Sequence, residues 1–302
     1  MLPSHVMRLT TQAGRTILLA IVCLAAAVAT GCGEDVNTVL EKASRARQSA
    51  SDLLVDFTKA ADAANRAVMA ETDEASVAFA KEAEQATEAV EKDAGALGPI
   101  LQNLHYADET RLLDEFKSRF AEYRALDRRI LDLAVENTNL KAQRLSYGPA
   151  QEAADAFRDA LKTLVPSSPA EAWHVQALAA TAVKTVREIQ VLQAPHIADA
   201  DVAVMTRMEK EMATSEMTAR DALDRLRPLV GPASAKQVAA ASAALDRFMG
   251  LNAEIIALSR RNTNVRSLAL SLDQKREIVV KCEESLRALR GALEKREYAG
   301  RR

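Results

Sequence analysis

The chain has 302 residues and is 48% hydrophobic, yet aromatics make up only 4%, so alanine and leucine carry the apolar content. Ten Gly and eight Pro leave little punctuation for a sheet-and-turn architecture, and this composition selects long helices. Forty basic and 42 acidic residues, mixed along the chain, give a net charge of −2 and exclude the basic face that nucleic-acid binding requires.

The first 32 residues stand apart. His5, Arg8 and Arg15 form a basic start with no acid before Glu34, and an apolar run extends from Ile17 to Ala29. About 13 to 15 apolar residues make a signal-peptide core and fall short of the roughly 20 that span a bilayer. The run ends in Ala29-Thr30-Gly31-Cys32, which resembles a bacterial lipobox. Thr30, Gly31 and Cys32 fit that pattern, while Ala29 stands where Leu is usual. The resemblance implies a signal peptide over 1–31, lipidation of Cys32, and anchorage in the cell envelope facing the periplasm or the exterior. An uncleaved anchor helix, or a secretory signal cut after Ala29 or Gly31, are the alternatives. Gly33 comes after the Cys where Asp would retain a lipoprotein at the inner membrane, which favours the outer membrane. Cleavage before Cys32 removes two arginines and takes the charge from −2 to −4. It also removes Cys23, so Cys282 is left without a disulfide partner and reads as a small buried hydrophobe.

From Val36 onward the apolar spacing is helical. Val36, Val39, Ala43, Ala46, Ala50, Leu53, Phe57, Ala60 and Ala64 keep an unbroken 3,4 spacing, the pattern of a coiled-coil seam. A second seam runs Ala244, Phe248, Leu251, Ile255, Leu258, Asn262, Val265, Ala269 and Leu272. Breaks are expected near Glu71-Thr72-Asp73, Gly98-Pro99, Gly148-Pro149, Pro166 to Pro169, Ala194-Pro195 and Gly231-Pro232. Short connections between such helices imply antiparallel neighbours.

The chain also repeats itself. Tyr123 to Ile130, leading to Asn137-Thr138-Asn139, matches Phe248 to Ile255, leading to Asn262-Thr263-Asn264, at a shift of 125 residues. Further upstream, Lys81-Glu82 matches Lys210-Glu211 at a shift of 129. The difference is absorbed between them, where Gln102 to Glu109 is longer than Gly231 to Ser234. The expected architecture is all-α, with long antiparallel helices in two tandem four-helix-bundle-like repeats, 32–165 and 166–296, and a tail at 297–302. Repeat two has no breaker at Ser271 to Gln274, so its last helix is expected to run on toward Leu293.

The segment Asn137-Thr138-Asn139-Leu140-Lys141-Ala142-Gln143-Arg144-Leu145-Ser146-Tyr147-Gly148, with Phe157 and Leu161 beyond it, resembles the four-helix-bundle sensor domain of methyl-accepting chemotaxis receptors. Asn262 to Leu272, with Leu286 and Leu289 beyond it, offers the same pattern again. The resemblance implies a bundle outside the inner membrane that binds a small molecule or a partner protein, and a homodimer is consistent with it. No second membrane helix and no cytoplasmic signalling segment come after repeat two, so the fold analogy reaches further than the functional one. The competing reading is a structural envelope lipoprotein, a spacer or scaffold without a ligand.

Asn137 and Asn262 are the candidate polar positions, each at a seam position among apolar residues. An Asn there either fixes helix register or belongs to a polar layer lining a ligand cavity. Glu171 and His174 have the E-x-x-H spacing of di-iron bundles, but a site needs two such motifs and further carboxylates. His105 and His196 are expected in exposed turns. Met205, Met208 and Met212 share a helical face that Met217 leaves, and that face reads as packing or as a groove. No catalytic, phosphate-binding or metal motif occurs, so neither an enzyme nor a cofactor is expected.

Overall fold

The computed structural model describes residues 36–300, with side chains described to residue 296; residues 1–31, expected to be a signal peptide, and Cys32 lie outside the described residues. The helices are α1 (Val36–Val68), α2 (Asp73–Asn103), α3 (Ala107–Glu136), α4 (Thr138–Leu145), α5 (Gln151–Lys162), α6 (Ala172–Ala198), α7 (Val202–Leu226), α8 (Pro232–Arg261), α9 (Thr263–Leu270) and α10 (Arg276–Gly300). The all-α expectation holds, and no strand occurs among the described residues beyond one isolated bridge between Pro166 and Val230.

Short turns set the antiparallel pairs. Thr72 caps α2 by accepting from the Ala75 N–H at 3.1 Å, and Asp201 caps α7 by accepting from Ala203 and Val204. His105 adopts φ 56° in the α2–α3 turn, where the sequence predicts an exposed loop residue. The predicted breaks at Pro99 and Pro195 are not breaks: α2 and α6 run through them to Asn103 and Ala198. Each proline lies in the last turns of its helix, so few hydrogen bonds remain to be lost beyond it.

The chain forms two four-helix bundles, but they are not one bundle per repeat. α3 continues past Asn137 into α4 and α5, and these pack against α6 and α8. α8 continues past Asn262 into α9 and α10, and these return to pack against α1 and α3. Each half therefore contributes three helices to its own bundle and its fourth helix to the other. The cores record the exchange. One joins Leu53, Phe57, Phe116 and Tyr123 to Cys282, Leu286, Leu289 and Leu293; the other joins Phe157 and Leu161 to Val186, Leu223 and Phe248. The helices of 36–165 and 166–296 thus interlock, and neither segment forms a bundle by itself. A helical seam marks a buried face without naming the helices that cover it, so periodicity alone does not distinguish the two partnerships.

The C-terminal helix is fixed at both ends of its run. Arg119 donates to the Lys281 carbonyl at 2.7 Å and to Ser285 Oγ at 2.9 Å. Arg296 meets the buried Glu109 at 2.5 and 2.9 Å and lies over the Tyr106 ring at 4.2 Å. The helix runs to Gly300, so the segment expected to be a tail from 297 remains helical in part.

Two π-helical turns interrupt the long helices, at Ser146–Ala150 and Ser271–Lys275. They replace the break expected at Gly148-Pro149 and interrupt the smooth continuation expected after Ser271. Pro149 lacks an N–H, and a widened turn accommodates its ring. The second turn contains no proline, yet stands at the same register, so Pro149 alone does not account for the pair. The widened turn rotates the buried face about the helix axis. Leu272, placed on the seam by its spacing, is 65% exposed, while Lys275 is 1% exposed.

Candidate functional site

Asn137 and Asn262 occupy the crossover between the bundles, where both have left-handed backbones, φ 51°, ψ 39° and φ 53°, ψ 40°. The sequence places them within continuous helical seams, but each instead ends one helix and starts the next. Asn tolerates this conformation better than other residues with a Cβ, because its short amide can bond locally. The two strands of the crossover face each other with reciprocal hydrogen bonds. Thr138 N–H donates to Thr263 Oγ1 at 3.1 Å, and Thr263 N–H donates to Thr138 Oγ1 at 3.1 Å. Asn139 N–H donates to Asn264 Oδ1 and Asn264 N–H to Asn139 Oδ1, both at 3.1 Å. Asn139 Nδ2 also reaches Asn262 Oδ1 at 2.8 Å, and Asn264 Nδ2 reaches Asn137 Oδ1 at 2.9 Å. These bonds satisfy backbone donors left open where each helix restarts.

The symmetry stops at the outer donors. Asn262 Nδ2 donates to the Asp199 carbonyl at 2.7 Å, whereas the buried Asn137 Nδ2 has no hydrogen-bond partner among the described residues. The polar layer thus acts as a junction, its side chains bonding across the crossover.

Beyond the junction the two bundles have diverged. In the second, a buried polar chain runs from Ser146 to Gln193 (2.7 Å) and on to Asn252 (2.9 Å). Nearby, His196 is 0% exposed, with Nδ1 at 2.6 Å from Ser259 Oγ and Nε2 at 2.9 Å from Glu209. This corrects the expectation of an exposed loop histidine: α6 carries on through Pro195 and turns the ring into the core. Arg260 binds Glu209 at 2.6 and 2.8 Å and Thr206 at 2.7 Å. The Arg260 hydrogen bond is the chief cause that holds the Glu209 carboxyl below its ordinary range, aided by His196. Met205, Met208 and Met212 are buried beside this network and Met217 is exposed, as their spacing implies. Repeat one has Ala64, Ala67, Ala80 and Ala83 where repeat two has Gln193, His196, Glu209 and Met212. Those alanines form a tightly packed cluster with Leu131.

The first bundle puts its buried polar groups elsewhere. Lys275, turned inward by the second π turn, lies 2.8 Å from Asp127, and both side chains are under 5% exposed. Their angles fall outside hydrogen-bond geometry, so Asp127 Oδ1 and Lys275 Nζ carry an ion pair without an aligned hydrogen bond. Burial pushes the Asp127 carboxyl up, and Lys275 opposes the shift. Tyr123, one turn earlier, is fully buried in an aromatic cluster with Phe57, and its hydroxyl lacks a partner among the described residues.

Asp127 also forms one wall of a cavity of about 220 Å³ between α2 and α3, opposite Thr87 and beneath Glu84, Glu88, Arg124 and Arg128. Thr87 is 6% exposed, and its hydroxyl has no partner among the described residues. Arg124 and Arg128 are shared with a larger groove of about 640 Å³, which runs on along Ala94, Gly95, Phe120 and Ala121. A Cβ on Gly95 would meet nothing within 4 Å. Glu91 pairs with Arg124 across the groove. In the second bundle the equivalent stretch is spanned by Arg220 and Asp246 at 2.7 Å, and Leu223 stands where Ala94 leaves space. The cleft between α2 and α3 is the candidate site. Its residues carry no signal in the sequence, because Asp127 sits in a charged run that looks like a solvated face.

The remaining candidates come to little. Glu171 and His174 lie 3.5 Å apart on the surface, and no group of acidic, His or Cys side chains among the described residues is arranged to hold a metal. Cys282 is fully buried, and burial pushes its thiol up to about 12. Among the described residues no helix is long and apolar enough to cross a membrane. Comparison of the chain with known protein families, with curated proteins and with solved structures gives no match.

Proposed function

We propose that this chain is a non-enzymatic binding module of the cell envelope, anchored through lipid on Cys32, that takes a small molecule in the cleft between α2 and α3. The observation that carries the reading is the groove of about 640 Å³ between α2 and α3, which stays open beside Ala94 and Gly95 where the second bundle places Leu223 and the Arg220–Asp246 pair. The resemblance to chemoreceptor sensor domains supports the same reading, since a helical bundle there presents ligand sites between its helices.

A scaffold reading rests on the second bundle, whose interior polar groups are largely paired with one another. A thermal-shift screen of the purified full chain against amines, alcohols, organic acids and aromatic compounds tests the binding reading, with Gly95→Leu as the control. A leucine there fills open groove and improves helix propensity, so the variant folds and blocks the cleft. Shifts that Gly95→Leu abolishes are expected; their absence across the screen favours the scaffold.

A further inference from the structure

The start of α1 is an unpartnered helix face. Val36 and Val39 open the seam that Ala43, Ala46 and Ala50 carry into the first core, and Leu40 stands one turn after Val36. Val36 is 70% exposed and Leu40 62%, and Val39 is exposed as well. The equivalent stretch of the second half, at the shift of 129 residues, is Val165 to Pro169. There the chain leaves the helix and is tied down. Val165 N–H donates to Ser234 Oγ at 2.8 Å, Ser167 N–H to the Leu229 carbonyl at 2.9 Å, and Gly231 N–H to the Val165 carbonyl at 3.3 Å. Only Val165 in that stretch is an exposed large aliphatic residue. The outer end of the second bundle is thus closed by its own chain, whereas α1 holds its helix to Val36 and sets three aliphatic side chains in the open.

The chain before α1 decides what meets them. Cys32 stands four residues before Val36, and four residues reach at most about 14 Å. Resting on the lipid anchorage at Cys32 proposed above, we propose that the first two turns of α1 sit in the membrane interface, with Val36, Val39 and Leu40 among the lipid headgroups and upper acyl chains. An interfacial helix buries its apolar face by about 5–10 Å, a depth within that reach. Glu34, Asp35 and Glu41 offset Lys42, Arg45 and Arg47, so the contact is apolar and persists at high salt. The antiparallel pairing of α1 and α2 brings the α2–α3 turn, with the exposed His105 and Asp108, to the same end. That turn therefore faces the membrane, and the second bundle points away from it.

A fluorophore on Leu40→Cys, or on Met217→Cys as the control, tests the contact in the full chain, purified with its lipid and placed in phosphatidylcholine vesicles; Cys282 is too buried to react. Mass spectrometry of the N-terminal peptide reads the anchorage first, and a Cys32 without lipid overturns both the anchorage and this proposal. With lipid present, the Leu40 label is expected to lose fluorescence to nitroxide-bearing lipids and to be protected from iodide, in low and high salt alike. The label at Met217, exposed on α7, is expected to show the reverse. Adding Val36→Ser and Val39→Ser is expected to return the Leu40 label to iodide, since the apolar face that holds it in the interface is gone. A Leu40 label open to iodide on a lipidated parent chain overturns the proposal and leaves the anchorage standing. Protection from iodide without quenching by the lipids overturns it in favour of a second copy of the chain on this face. Lipid quenching unchanged by the two serines shows that the tether alone places Leu40, which overturns the apolar contact.

Discussion

Thr138 and Thr263 each give a backbone N–H to the other's hydroxyl oxygen at 3.1 Å, across a separation of 125 residues. Their hydroxyls also lie 3.2 Å apart. This reciprocal pair is the pivot of the exchange, because each threonine opens the helix that carries its half of the chain into the opposite bundle.

Replacing either threonine by valine leaves a buried N–H of its partner without an acceptor. Each single change is expected to destabilise by about 1–3 kcal/mol in urea unfolding. The double variant should cost less than the sum of the two, since the residues share one network. Strict additivity would show that the pair does not act as a unit.

The two asparagines should respond differently despite their equivalent places. Asn137→Gly keeps the left-handed backbone available and loses a single side-chain bond, the one that Asn137 Oδ1 accepts from Asn264, so a loss of about 1 kcal/mol is expected. Asn262→Ala forces a Cβ residue to hold φ 53° and loses the bonds to Asn139 and Asp199. It should cost about 2 kcal/mol or more. Thermal unfolding of the two variants side by side checks the order.

The Asp127–Lys275 pair joins the two halves of the chain inside the first bundle. Lys275→Met alone strands a buried carboxylate and should destabilise by about 3–5 kcal/mol at neutral pH. Adding Asp127→Leu should restore most of the loss, because a buried ion pair is often replaceable by apolar groups of similar size. A double variant no more stable than Lys275→Met would show that the pair does more than satisfy itself.

Acid should act on the two bundles in opposite senses. The Glu209 carboxyl is held down by Arg260 and His196, so its contribution is present above the unfolded-state value and is lost as pH falls through the lower folded-state value. Asp127 is pushed up by burial, so its ionisation penalty is relieved as pH falls through its raised value. From about pH 5 downward, Glu209→Gln should flatten the acid decline of the urea midpoint, and Asp127→Asn should steepen it. Curves parallel to the parent would contradict these assignments.

Much of this molecule is legible in its sequence, and the gaps have physical causes. The 3,4 spacing from Ala46 to Ala64 marks α1 correctly, because a buried face repeats wherever a helix stays straight. The same spacing misleads beyond Asn262, where the left-handed residue and then the π turn rotate the buried face away from Leu272 and onto Lys275. The duplicated Asn-Thr-Asn signal reads as a seam feature from spacing alone. Two such triplets, each rich in side chains that bond to backbone, are equally the mark of a junction where two chain segments meet. Asp127 and Thr87 give no warning, since a single charge or hydroxyl on a helix reveals its burial only through the helices packed around it.

The return of the C-terminal helix to the first bundle places Lys275 against Asp127 and completes the core beneath the cleft. Spin labels on Arg111→Cys and Glu294→Cys, both exposed positions, test this directly by pulsed dipolar spectroscopy, with Cys282 too buried to react. Arg296 meets Glu109 in the exchanged fold, so a single short distance of roughly 10–20 Å is expected, set by helix spacing and label reach. If the last helix instead folded back along its own half, α3 and α8, each of 30 residues, would separate the labels by about 90 Å at 1.5 Å per residue. That longer distance would contradict the exchange.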